Sequence, residues 1–155
     1  MKKISLTKNR EAIVDDEWFG VLSQWDWYYS SGGYAVRDIG PHESKEKIYM
    51  HRYILMAPSA YQVDHINRDR LDNRKKNLRV VTPDKNYFNR AMLSNNTSGF
   101  KGVCFDKARN KYMASIQKDR RQFNLGRYGT AIEAAKAYNE AAKQLFGEYA
   151  YLNDV

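Results

Sequence analysis

The chain has 155 residues, room for one ordinary domain or two small ones, which excludes a large multidomain enzyme. Hydrophobic residues make up 43% and charged residues 28%, enough apolar material for a packed core, so wholesale disorder is excluded as well. Lys and Arg number 26 against 18 Asp and Glu, and a formal charge of +8 draws polyanions, nucleic acid first among them.

Residues 1 to about 56 read as short strands: Ile4 to Leu6, Ala12 to Val14, the aromatic run Trp25 to Tyr29, and Tyr34 to Ile39 after Gly32-Gly33. Trp18, Trp25 and Trp27 with Tyr28 and Tyr29 are expected in the core of this region rather than as base-stacking surfaces. Ile48 to Met50 reads as a strand, and His51 to Met56 as one or two helical turns ended by Ala57-Pro58. The stretch from Val63 to Arg90 is polar and loop-like until Thr82-Pro83-Asp84, a helix start that predicts helix over Lys85 to Met92. Leu93 to Gly99 is a polar hinge. In Lys111 to Lys118, Tyr112, Ala114 and Ile116 alternate with Lys111, Met113, Ser115 and Gln117, so one face is buried and one is wet. Phe123 and Leu125 are expected inward and Gln122 and Asn124 outward. Thr130 to Glu133 is a capping box, opening a helix whose alanine-rich stripe runs to Gly147.

No run approaches the ~18 apolar residues of a membrane span, and Lys2-Lys3 leads into polar residues rather than an apolar signal segment. A single cysteine, Cys104, forbids an intramolecular disulfide and a zinc site of several thiolates. A cytoplasmic protein with no membrane partner is expected.

The informative cluster is Val63-Asp-His-Ile-Asn67, then Asn73, Asn77-Leu78-Arg79, Asn86 and Asn89. A histidine titrates near neutrality and can take a proton from water attacking phosphorus. Carboxylate and amide oxygens can hold a hard cation that neutralises charge on the phosphate and the leaving oxygen. On a strand, Asp64 and His65 point to opposite faces, so both reach one phosphate only where the strand ends or bends. Asn77 has a second reading, as an amide that satisfies loop backbone groups. Asn73 and Asn89 read as structural or phosphate-contacting, Asp69 and Asp72 as shaping the loop, His51 as a packing or hydrogen-bonding residue, and His42 as a solvated loop residue.

Met50-His51-Arg52, Val63-Asp64-His65-Ile66-Asn67, Asn73, Asn77-Leu78-Arg79 and Asn86 together resemble the HNH endonucleases, in particular the phage and intron-encoded homing type. The resemblance implies a ββα-metal (His-Me finger) centre. His65 would be the general base, Asn77 would hold its imidazole, and Asp64 and Asn86 would be metal ligands for a divalent ion, Mg²⁺ with Mn²⁺ as a substitute. Some relatives end the motif in histidine where this chain has Asn86.

Ser98 to Val103, Tyr112 to Ile116, Leu125 to Tyr128, Thr130 to Tyr138 and Ala150 to Asn153 resemble the ethylene-response-factor (APETALA-type) DNA-binding domain. That implies a three-stranded antiparallel sheet packed on one helix, with the exposed sheet face in the major groove. Lys101, Arg109, Lys111, Ser115, Gln117, Gln122 and Asn124 would meet DNA there, with Arg79 as a further contact. The plant proteins carry arginine and tryptophan at several of these positions, so the target sequence does not transfer.

The expectation is an α+β chain: residues 1–93 an HNH endonuclease domain with its core at about 48–92, 94–99 a hinge, and 100–155 the DNA-binding domain. Its function would be metal-dependent hydrolysis of duplex DNA, with no small-molecule cofactor and with protein partners unspecified. The competing readings are a non-catalytic DNA-binding regulator with a vestigial HNH centre, and an RNA-directed protein.

Overall fold

The computed structural model describes residues 1–89 and 96–155, with only the backbone of Asp84 and Tyr87. The chain forms two compact units, Met1–Asn86 and Tyr87–Val155. Among the described residues no helix is long and apolar enough to cross a membrane.

The first unit opens with a hairpin of β1 (Lys2–Leu6) and β2 (Arg10–Val14), whose inward residues Ile4, Leu6, Ala12 and Val14 are buried. Lys8 and Asn9, both at positive φ, make its turn. A helix follows where the sequence reading expected only strands: α1 (Asp16–Leu22) carries Asp16 and Glu17 in its first turn and buries Leu22. The expected strand over Trp25 to Tyr29 contracts to β3 (Tyr28–Tyr29), because the preceding tryptophans are taken up by packing. Trp27 is buried and its Nε1 donates to the Leu22 carbonyl at 2.8 Å. β3 pairs with β4 (Ala35–Ile39), and β4 with β5 (Glu46–Tyr49), both antiparallel. The helix α2 (Met50–Leu55) buries Met50, His51 and Ile54 and stops at Met56, which is left-handed with φ 48°.

Next comes the hairpin of β6 (Gln62–His65) and β7 (Leu78–Val81), joined by residues 66–77, and then α3 (Pro83–Phe88). This is a strand–strand–helix order. The connecting loop is not left to itself. Ile13 N donates to the Leu71 carbonyl and Asn73 N to the Ile13 carbonyl, both at 2.8 Å, so the loop is laid against β2 as a short parallel bridge. The helix α3 is shorter than expected, ending at Phe88; Arg90 to Met92 of the expected helix, and Leu93 to Asn95 of the expected hinge, lie outside the described residues.

The second unit is an antiparallel sheet in the order β10 (Arg121–Tyr128), β9 (Lys111–Lys118), β8 (Val103–Asp106), covered on one face by α4 (Ala131–Phe146). The capping box of Thr130 and Glu133 forms as the sequence indicated. Ala134, Ala135, Tyr138, Ala142 and Phe146 make the buried stripe. Gly102 shows how closely this helix lies on the sheet: at φ +75°, a Cβ there would sit 2.1 Å from the Tyr138 ring. Asn153 ties residues 147–155 to the sheet and helix: its N donates to Asn139 Oδ1 at 2.7 Å, while its Oδ1 accepts from Lys101 N and its Nδ2 donates to the Lys101 carbonyl.

Candidate active site

β6 delivers Asp64 and His65 side by side and ends there. The chain turns at once, with Arg68 N donating to the His65 carbonyl at 2.9 Å and Arg68 at φ 67°. Both side chains are buried. Asp64 pairs across the hairpin with Arg79, whose Nε and Nη2 lie 2.9 and 2.7 Å from Asp64 Oδ2. Arg79, expected to meet DNA, is therefore bonded to the candidate metal ligand.

His65 faces a different set of residues. Its Nε2 is 3.3 Å from Asn73 Oδ1. Asn73 Nδ2 donates to the Leu71 carbonyl, which fixes the amide orientation and leaves its oxygen for the ring. Nε2 then carries the proton and Nδ1 the lone pair. Burial pushes the His65 pKa below its ordinary value, against the raising pull of the Asn73 bond and of Asp64, Asp69 and Asp72. The ring is packed among Tyr34 and His51, at centroid separations of 6.0 and 5.1 Å.

Of the two roles open to Asn77, its bonds are those of the loop brace. Its Oδ1 accepts from Asn67 N at 3.0 Å and its Nδ2 donates to the Asp72 carbonyl at 2.8 Å, so its amide braces the loop, while Asn73 meets the imidazole. Asn73, read from the sequence as structural or phosphate-contacting, is the amide at the ring, and its backbone bond to Ile13 on β2 holds it there. Asp69 and Asp72 do shape the loop. Asp69 Oδ1 accepts from Leu71 N, and Asp72 takes bonds from Asn67 Nδ2 and from the Arg74 guanidinium, which holds its carboxyl below the usual range.

Asn86, on α3, donates from Nδ2 to Gln62 Oε1. Gln62 precedes Asp64 by two residues on the same strand face, about 7 Å along the strand. Among the described residues no three His, Cys, Asp or Glu side chains converge as a metal cage. The oxygens of Asp64 and Asn86 are of the type that a hard cation takes.

In the second unit, pairing sets Gln122 opposite Gln117 and Asn124 opposite Ser115, on the face away from α4 as expected. Lys111 shares that face, opposite Asp106, and Arg109 sits in the turn, 3.2 Å from Asp106 Oδ2. One expectation needs correction. Phe123 is 46% exposed, because β10 meets the core through Leu125 and Tyr128 instead. Lys101 lies before the sheet, and its Nζ is 3.0 Å from the Phe88 carbonyl and 4.9 Å from the Tyr151 ring centroid. Sequence reasoning also missed Arg127. A bulge at Leu125 shifts the register, so Arg127 emerges opposite Met113 on the outer face, 3.1 Å from Asp106 Oδ2.

Residues 56–87 match the HNH endonuclease family and residues 98–148 match the AP2 domain family. The chain is 34% identical over 155 residues to a protein of Acanthamoeba polyphaga mimivirus described as an uncharacterized HNH endonuclease, covering 96% of this chain and 77% of that relative. It is also 29% identical over 93 residues to Protein 3.8 of Escherichia phage T7, covering 60% of this chain and 76% of the relative. No solved structure matches.

Proposed function

The chain belongs to the HNH endonuclease family, and from that premise we propose that it is a metal-dependent DNA endonuclease of homing type, hydrolysing a phosphodiester in duplex DNA. The observation that carries the reading is the bond between His65 Nε2 and Asn73 Oδ1, which turns the Nδ1 lone pair into the base. His65 Nδ1 takes the proton of a water as its oxygen attacks phosphorus, and the bond from phosphorus to the leaving 3′ oxygen breaks. Asp64 and Asn86 would hold a divalent ion, Mg²⁺ in cells, and such an ion supplies charge neutralisation at the phosphate and the leaving oxygen. Arg79 holds the Asp64 carboxylate in place through two bonds to Oδ2.

The AP2-type unit would bind and select the site. Lys111, Arg109 and Arg127 would hold phosphates while Ser115, Gln117, Gln122 and Asn124 face base edges. We assign the HNH domain to residues 1–93, the hinge to 94–99 and the DNA-binding domain to 100–155. A reducing host cytoplasm suits a chain whose one cysteine, Cys104, is exposed and free.

Supercoiled plasmid is the test. The protein nicks or linearises it with Mg²⁺ present and stops when the ion is chelated. His65→Ala and Asp64→Ala abolish cutting while duplex binding persists. Tight binding with no cutting under any divalent ion would leave a DNA-binding regulator with a vestigial centre.

A further inference from the structure

Four arginines, Arg68, Arg70, Arg74 and Arg79, surround the loop between β6 and β7, and two have a carboxylate partner assigned: Arg74 is bonded to Asp72 and Arg79 to Asp64. Arg70 is exposed, and among the described residues no carboxylate pairs with it. Its guanidinium is nonetheless held in place. It lies 4.8 Å from the centroid of the Tyr34 ring, and its Nη1 donates to the Gly32 carbonyl. Gly33, at φ +82°, lies beside the arm, close enough that a Cβ there would make an ordinary contact with Arg70 Cδ at 3.5 Å. The ring that carries Arg70 is the same one that packs on His65, 6.0 Å between centroids.

We propose that Arg70 grips the phosphate backbone of duplex DNA alongside the His65 imidazole. An ordered cation with no internal carboxylate keeps all its charge for an external anion, and its stack on Tyr34 removes part of the entropy that a long side chain loses on binding. The steps from guanidinium to Tyr34 and from Tyr34 to His65 bring the cation within about 11 Å of the base. At about 3.4 Å of rise per nucleotide along one strand, that is within about three nucleotides of the scissile bond. The inference rests on the nuclease reading for the place of the scissile bond, and its test does not require cleavage.

The 155-residue protein is titrated onto a short mixed-sequence duplex over a salt series, with EDTA present and the duplex checked for intactness. Arg70→Ala weakens binding about tenfold and lowers the slope of log affinity against log salt by about one. Arg70→Lys restores the slope without restoring the affinity, because the charge returns and the planar stack does not. Tyr34→Ala weakens binding with the slope unchanged. An Arg70→Ala protein that unfolds at the parent temperature and shows the parent affinity and slope overturns the proposal. A parent protein that never nicks plasmid, with the slope still reduced in Arg70→Ala, removes the nuclease reading and keeps the grip.

Discussion

Arg79 and Asp64 face each other across the β6–β7 hairpin, with two guanidinium nitrogens 2.9 and 2.7 Å from one carboxylate oxygen, Asp64 Oδ2. Both side chains are largely withdrawn from solvent, at 14% and 8% exposure. Arg79→Ala leaves a buried carboxylate without this partner and costs about 3 kcal/mol in chemical denaturation. Loss of the fixed orientation lowers cleavage by about 10- to 100-fold at fixed Mg²⁺. A variant with parent stability and parent rate would detach Arg79 from the site.

Asn73 and Asn77 separate by what they bond. Asn73→Ala removes the acceptor on His65 Nε2, so both ring tautomers become populated and kcat falls by about 100-fold. Nitrogen chemical shifts of the His65 ring report the change directly. Asn77→Ala leaves Asn67 N and the Asp72 carbonyl without their bonds and costs about 2 kcal/mol of stability. Equal effects of the two on the ring spectrum would contradict the division.

His51 makes stability fall on the acid side. It is 6% exposed, its Nδ1 has no hydrogen-bond partner among the described residues, and burial pushes its pKa from 6.5 down to about 3. The unfolded chain therefore binds this proton more tightly than the folded one. The stabilising contribution is complete above pH 6.5 and is lost at up to about 1.4 kcal/mol per pH unit as pH falls towards about 3. His65, lowered by the same cause, adds to the slope. Denaturant midpoints measured through this range should decline less steeply in His51→Phe, and an unaltered decline would rule out the assignment.

Gly102→Ala tests the seating of α4. The new methyl meets the Tyr138 ring at 2.1 Å in a left-handed backbone position, so the second unit loses more than about 3 kcal/mol. Calorimetry should show its transition lowered, with duplex binding lost in parallel. Parent-like melting would mean that the helix can lift off the sheet freely.

Chemistry and family were legible from the chain because they reside in covalently local patterns. The spacing from Asp64-His65 through Asn77 to Asn86, the capping box at Thr130 and the alternation over Lys111 to Lys118 each depend on residues a few positions apart. The helix α1 was hidden because seven residues give too short a period to read, and its formation is settled by Leu22 entering the core. Which asparagine meets the imidazole depends on a bridge from the loop to Ile13, some sixty positions away. The outward turn of Arg127 depends on one bulged residue that reverses every following side chain. Residue type and spacing therefore determined that an imidazole, a carboxylate and amides would be present. Only long-range pairing, whose partners no local pattern names, decided which of their atoms face one another.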